Sequence, residues 1–160
     1  MVYSSIEEFV ENSLAGALMG LDLGEKTIGV AVSDTRQSVA TGIKTIKRTK
    51  FQQDLKILKQ LIDGREIKGI VLGLPKNMNG TEGPRCQSTR AFAKNMSMSV
   101  PLPITFWDER LSTVAAERSL IEANASRRRR AEVIDYVAAS FILQGVLDRL
   151  LAIKIERLSS

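Results

Sequence analysis

Ile6, Phe9 and Val10 stand three and four residues apart near the start of the chain, the spacing of one face of a short amphipathic helix. From Ala17 the period changes. The run ALMGLDLGEKTIGVAVSD reads as two β-rich segments joined by a turn at Gly24-Glu25-Lys26, hence a hairpin. A third segment, roughly Val39 to Lys47, ends in basic residues and extends the meander. Phe51, Leu55, Leu58, Leu61 and Ile62 return to helical spacing, with Gly64 closing that helix. KGIVLGLP is a strand-length apolar run bounded by Gly and Pro, and the polar loop KNMNGTEGP follows it. A helix is predicted from Pro84 to about Met98, then a short strand, PITFW, ending in Asp108-Glu109-Arg110. Two helices, about Ser112 to Glu122 and Ala131 to Arg157, complete the chain.

The resulting order, βββαβαβαα, places a hairpin meander ahead of βαβ crossovers. That combination predicts an α/β protein with a mixed five-stranded sheet, antiparallel in the meander and parallel beyond it, flanked by helices. No repeat, low-complexity tract or linker divides it. The expected organisation is an N-terminal extension over residues 1–16, helical in pattern, and a single domain over residues 17–158.

A chain of 160 residues, 44% hydrophobic and 26% charged, is the usual size for one domain with a real core. No apolar span of about 18 residues is expected, so no membrane helix and no membrane partner. The start, MVYSSIEEFVENS, is acidic and lacks the basic and apolar parts of a signal peptide. The single Cys86 has no internal disulfide partner, which suits a reducing cytoplasm. Two totals change the functional picture. The balance is basic, with 23 Lys+Arg against 18 Asp+Glu, which favours a polyanionic partner. Histidine is absent altogether, which removes His-based triads, His general bases and His-ligated zinc. A hydrolase built from this chain must rest mainly on carboxylates, lysines or tyrosines. Carboxylates with a hard cation, Mg²⁺ or Mn²⁺, are the natural set.

Three acidic residues are candidates for that chemistry. Alternation in the first strand puts Leu18, Gly20 and Asp22 on one face and Met19, Leu21 and Leu23 on the other. A carboxylate inside a central strand is expensive unless it is paired or metal-bound. The alternative is that Asp22 begins the turn and bonds to its own backbone. Gly20 and Gly24 leave its surroundings open to a phosphate or an ion. Glu109 lies where the last strand ends, sharing a side with Thr105 and Trp107; it could equally be a surface charge ahead of a helix capped by Ser112. Asp108 is the second choice there. Asp135 lies on the last helix with Ala138, Ala139 and Ile142 at its i+3, i+4 and i+7 positions, so its face is apolar and turned inward. Such a residue needs either a cation or a buried arginine partner. Three convergent carboxylates could hold two divalent ions that stabilise both oxygens of a phosphodiester displacement. The run Arg127-Arg128-Arg129-Arg130, just ahead of the last helix, puts positive charge at the end where the helix dipole disfavours it, which points to phosphate contacts beside the plainer reading as a solvated face. The loop from Lys76 to Gly83, flexible in composition, is either a plain loop or a second backbone-contacting element.

GLDLGEKTIGVAVSD, IVLGLPKNMNGTEGP, DERLSTVAAE and VIDYVAASFILQ, in this order, closely resemble the YqgF/RuvX family of Holliday junction resolvases, also described as pre-16S rRNA nucleases. The resemblance covers about Leu18 to Leu150. It implies an RNase H-like fold and a metal-dependent nuclease that trims the 5′ end of 16S ribosomal RNA. It also implies that Asp22, Glu109 and Asp135 serve as catalytic and metal-binding residues with Mg²⁺ or Mn²⁺. Lys76, Arg110 and Arg127, Arg128, Arg129 and Arg130 would hold the nucleic acid. Superfamily analogy adds a 5′-phosphate and a 3′-hydroxyl as products. Members of the family often carry Lys or Arg where this chain has Glu132. Expected partners are precursor rRNA or branched DNA, and the small-subunit precursor, with the protein a monomer or weak homodimer. Rival readings are a four-way DNA junction resolvase, an ATPase of the actin and sugar-kinase type suggested by the hairpin, and a non-catalytic RNA-binding module with structural carboxylates.

Overall fold

Residues 1–13, 15–111 and 127–159 are described by the computed structural model, the backbone alone for 127–133. The predicted helix over Ser112 to Glu122 lies outside the described residues, as do the side chains of Arg127 to Arg130 and Glu132. Two strands, Leu18–Leu23 (β1) and Gly69–Leu74 (β4), are buried at every position. Burial on both faces is what a continuous apolar run requires, and it puts these strands at the centre of the sheet. Thr27–Ser33 (β2) and Ala40–Lys47 (β3) complete the antiparallel meander, and Ile104–Asp108 (β5) pairs parallel with β4. The five-stranded sheet runs β3-β2-β1-β4-β5, with β1 antiparallel to β2 and parallel to β4. This is the expected mixed sheet.

Alternation divides the core in two. Met19, Leu21, Ile28, Val30, Ile70 and Leu72 meet the helices Phe51–Gly64 (α2) and Pro84–Ser97 (α3). Leu18, Ala31, Val71 and Trp107 meet the helix Arg127–Ser159, called α4 here, which contributes Ala138, Ala139, Ile142, Leu143 and Val146. The helix Ile6–Asn12 (α1) joins this second cluster through the fully buried Phe9. Residues ahead of α1 extend the sheet: Val2 bridges Ile104, and Tyr3 N–H donates to the Ile104 carbonyl at 2.7 Å.

Two expectations need correction. The last helix is described from Arg127, so the arginine run forms its first turn instead of preceding it. The same helix carries a stretch within Ile134–Ser159 long and apolar enough to cross a membrane, contrary to the expected absence of one. Its inward residues Ala138, Ala139, Ile142, Leu143 and Val146 are nevertheless buried against the sheet. A helix sandwiched against a core reaches membrane-like hydropathy for that reason.

The approach of α4 to the sheet is unusually close because the facing positions carry no side chains. A methyl group at Gly20 would lie 2.8 Å from Leu143 Cβ, and at Gly42 2.5 Å from the Tyr136 carbonyl. At Gly29 it would collide with the Asp135 carbonyl. The surroundings of Gly20 are thus filled by the helix, not left open for a ligand.

Candidate active site

The parallel strands β1, β4 and β5 end on one edge of the sheet, where residues from separate segments can meet. Asp22 stands there with 4% exposure, paired with Gly29 across the β1–β2 ladder. Directly opposed residues of an antiparallel pair point to the same face. Gly29 faces α4 at Asp135, so Asp22 faces α4 as well. It sits within the strand, and the turn comes later, closed by Gly24 N–H donating to the Thr27 carbonyl at 2.9 Å.

Asp135 is half-buried on α4, and its Oδ2 accepts from the Thr27 hydroxyl at 2.6 Å. The arginine partner considered for it is not found among the described residues; Thr27 takes that place. Glu109 begins a 3₁₀ turn, Glu109–Leu111, at the end of β5. A methyl group at Gly73 would come within 2.8 Å of its Oε1 and would also strike Ile142 of α4. Gly73 and Asp22 each directly follow the paired residues Leu72 and Leu21. The Glu109 side chain therefore reaches back over β4 on the face that carries Asp22.

The three acidic side chains occupy neighbouring positions on one face, over β1, β2 and β4. Among the described residues, no three acidic or thiol side chains gather within reach of a single ion. The donors are nevertheless all oxygen, carboxylate and hydroxyl, the set that suits Mg²⁺ or Mn²⁺ and not a soft metal.

The remaining candidates are placed differently. Asp108 turns away from Glu109 and pairs with Arg110 at 2.6 Å. The Arg110 guanidinium holds the Asp108 carboxyl below its ordinary range. Arg110 itself also donates to the Met78 carbonyl at 3.3 Å, tying β5 to the loop after β4. That loop is more ordered than its composition suggests. Asn77 N–H donates to the Thr81 carbonyl at 2.9 Å, Asn79 Oδ1 accepts from the Thr81 hydroxyl at 2.6 Å, and Gly80 takes a positive φ of 88°. Lys76 is half-buried at its start. The described backbone puts Arg127 to Arg130 in the first turn of the helix that carries Asp135.

Thr27 and the glycines at 29 and 73 do not stand out as functional in the sequence. The available signal is glycine inside a strand, which often marks a place where another backbone approaches. Arg48 and Arg85 also lie near this edge, donating to the carbonyls of Gly24 at 2.7 Å and Leu23 at 3.4 Å.

Comparison with known proteins adds to this geometry. A sequence model of the RuvX family, described as Holliday junction resolvase, matches residues 16–149. A protein of Cereibacter sphaeroides named "Putative pre-16S rRNA nuclease" is 64% identical over 151 residues, covering 94% of both chains. One of the same name from Ruegeria sp. is 63% identical, covering 94% of this chain and 96% of its own. Another from Rhodobacter capsulatus is 67% identical over 135 residues, 84% of this chain and 85% of its own. Among solved structures, T. thermophilus RuvC in complex with Holliday junction substrate superposes with a TM-score of 0.52 at 9% identity, covering 84% of this chain and 96% of that one. At that identity the likeness speaks to the fold, which is RNase H-like.

Proposed function

Because the chain belongs to the RuvX family, we propose that it is a nuclease that hydrolyses phosphodiester bonds with a divalent metal ion, acting in 5′-end maturation of the 16S rRNA precursor. The observation that carries this reading is Asp22. It is a buried carboxylate in the central strand, on the face and at the edge where Asp135 and Glu109 also lie. The relatives' shared name supports RNA as the substrate. The basic balance of the chain supports a polyanion in general.

In this reading Asp22, Glu109 and Asp135 hold Mg²⁺ or Mn²⁺ through carboxylate oxygens. The ion, when bound, supplies Lewis-acid polarisation of the phosphodiester and a more acidic water. Thr27 fixes the orientation of Asp135 through its hydroxyl hydrogen bond. Lys76, Arg110 and the arginines from Arg127 to Arg130 offset backbone phosphate charge and hold the strand in register. The water oxygen bonds to phosphorus while the bond to the 3′ oxygen breaks, leaving a 5′-phosphate and a protonated 3′-hydroxyl. The work belongs in the cytoplasm, on the small-subunit precursor.

A second reading keeps the chemistry and changes the substrate to a four-way DNA junction, as the family's description favours. One experiment tests both. Labelled 5′-extended 16S precursor RNA and a four-way DNA junction are incubated with wild type and Asp22→Asn in Mn²⁺, Mg²⁺ or EDTA. The expected result is cleavage of the RNA, absent in EDTA and reduced about 10²-fold or more by Asp22→Asn with the fold retained. Cutting of the junction alone would move the substrate to DNA. No metal-dependent cleavage of either, with RNA binding indifferent to Asp22→Asn, would make the protein a binding module.

A further inference from the structure

Beyond the carboxyl end of β1, on the α3 side of the sheet and thus opposite the carboxylates, lies a cavity of about 180 Å³. It is lined by Leu23, Gly24, Glu25, Arg48, Arg85 and Thr89, among others. That volume is about six times a water molecule's share of the liquid, room for a phosphate and part of its sugar. Two arginines are in the cavity's lining. Arg48 and Arg85 each spend a donor on a carbonyl of the β1–β2 turn, Gly24 and Leu23 respectively. Neither has a carboxylate within ion-pair distance among the described residues. A guanidinium carries five N–H donors, so both retain unspent ones. Arg48 is half-buried and also lies over the Phe92 ring, 5.8 Å from its centroid.

The third wall is the start of α3, where Pro84 occupies the first turn and Gly83 offers no side-chain cap. A helix start in that state favours an anion, here in addition to the two arginines. Glu25 is the one acidic side chain in the lining, and it opposes the same anion. Leu23, the residue after Asp22, forms part of the lining, so the cavity and the carboxylates flank the same end of β1 from opposite faces of the sheet.

We propose that Arg48 and Arg85 form a phosphate-binding pocket that grips the substrate strand across the β1–β2 turn from the carboxylate centre. This rests on the nuclease reading for its ligand, a phosphate ester of a polynucleotide, but not for its geometry. The pocket anchors and orients the strand, and Glu25 sets how tightly.

The test measures binding of a short 3′-labelled single-stranded RNA, with a 5′-phosphate or a 5′-hydroxyl, in EDTA and across a salt series. Arg48→Gln and Arg85→Gln are each expected to weaken binding about tenfold and to lower the salt slope by about one. Both arginines also brace the turn, so two substitutions at exposed positions stand beside them: Ser88→Asp, at the cavity's rim, should weaken binding, and Glu25→Gln should tighten it. A deficit equal for both RNAs assigns the pocket to an internal phosphodiester. A deficit confined to the 5′-phosphorylated RNA assigns it to a terminal phosphate. Unchanged affinity and slope in Ser88→Asp, Glu25→Gln and whichever arginine variants fold would overturn the pocket. Binding is read without metal, so loss of the nuclease reading leaves this result standing, and the reverse also holds.

Discussion

Asp34 caps the turn between β2 and β3 with its side chain. Its carboxylate accepts from the Ser38 hydroxyl at 2.6 Å and from the backbone N–H groups of Ser38 and Val39. Those bonds, the Ser38 hydroxyl first, hold its carboxyl at about 2 against an ordinary 3.8. A depressed carboxylate stabilises the fold above its unfolded value and loses that effect as pH falls through its folded one. Asp34→Ala should therefore lower the melting temperature near neutral pH, and the gap from the parent should close as pH drops from about 4 towards 2. A gap independent of pH would mean that the carboxylate's charge is not what holds the turn. At this scale sequence reasoning is strongest where a residue's own period speaks. Alternation in the first strand put Asp22 on the face opposite Leu21, and the apolar neighbours of Asp135 put it on the inward side of its helix. It is weakest where a partner comes from far along the chain. Thr27 and Asp135 are 108 residues apart, and no local pattern announces that the hydroxyl of one will serve the carboxylate of the other.

Between elements, the governing contact is α4 against bare backbone. Gly20, Gly29, Gly42 and Gly73 lie on β1, β2, β3 and β4 and together make a floor across which the helix can lie. Filling that floor is expected to separate the layers. Gly29→Ala should destabilise the protein by about 1–3 kcal/mol, as overpacking of a filled core does, read as a lower urea midpoint. Gly64→Ala is the control. Gly64 ends α2 with open space where its side chain would be, so alanine there should be neutral or stabilising by up to about 1 kcal/mol. Equal losses for both would refute the packing argument. Among the described residues the strands and helices follow the expected order, the last helix apart in where it starts, and the observed β3, Ala40–Lys47, differs by one residue from the expected run. The floor was not legible. A glycine in a strand is locally a weakness, and only the distant helix gives it a reason. The membrane-length apolar stretch of the last helix, expected to be absent, has the same origin, since it is the distant sheet that its apolar face covers.

On the scale of the whole molecule, α1 near the start of the chain packs against α4 near its end. Phe9 is fully buried between α1 and the α4 cluster, and its ring lies against Gly69 at the start of β4. Exposed ion pairs, Arg149 with Glu7 at 3.1 Å and Arg157 with Glu11 at 3.6 Å, line the same seam. Exposed pairs contribute little, so the aromatic ring should dominate. Phe9→Ala is expected to remove about 3–5 kcal/mol of stability, measured by urea unfolding, whereas Glu11→Gln should shift it by less than about 0.5 kcal/mol. The sequence marks residues 1–16 as a helical extension, and the pairing ahead of α1 is not read from it, because two residues of pairing leave no periodic signature. Yet Met1 and Tyr3 exchange backbone hydrogen bonds with Ile104, at the far edge of the sheet. The strand partner of this first segment lies at the far end of the sheet's order, and Asp135 lies further along the chain again. Both the outermost pairing and the acidic face are thus closed by contacts of long sequence separation, the kind whose loop-closure cost makes them form slowly and late in folding.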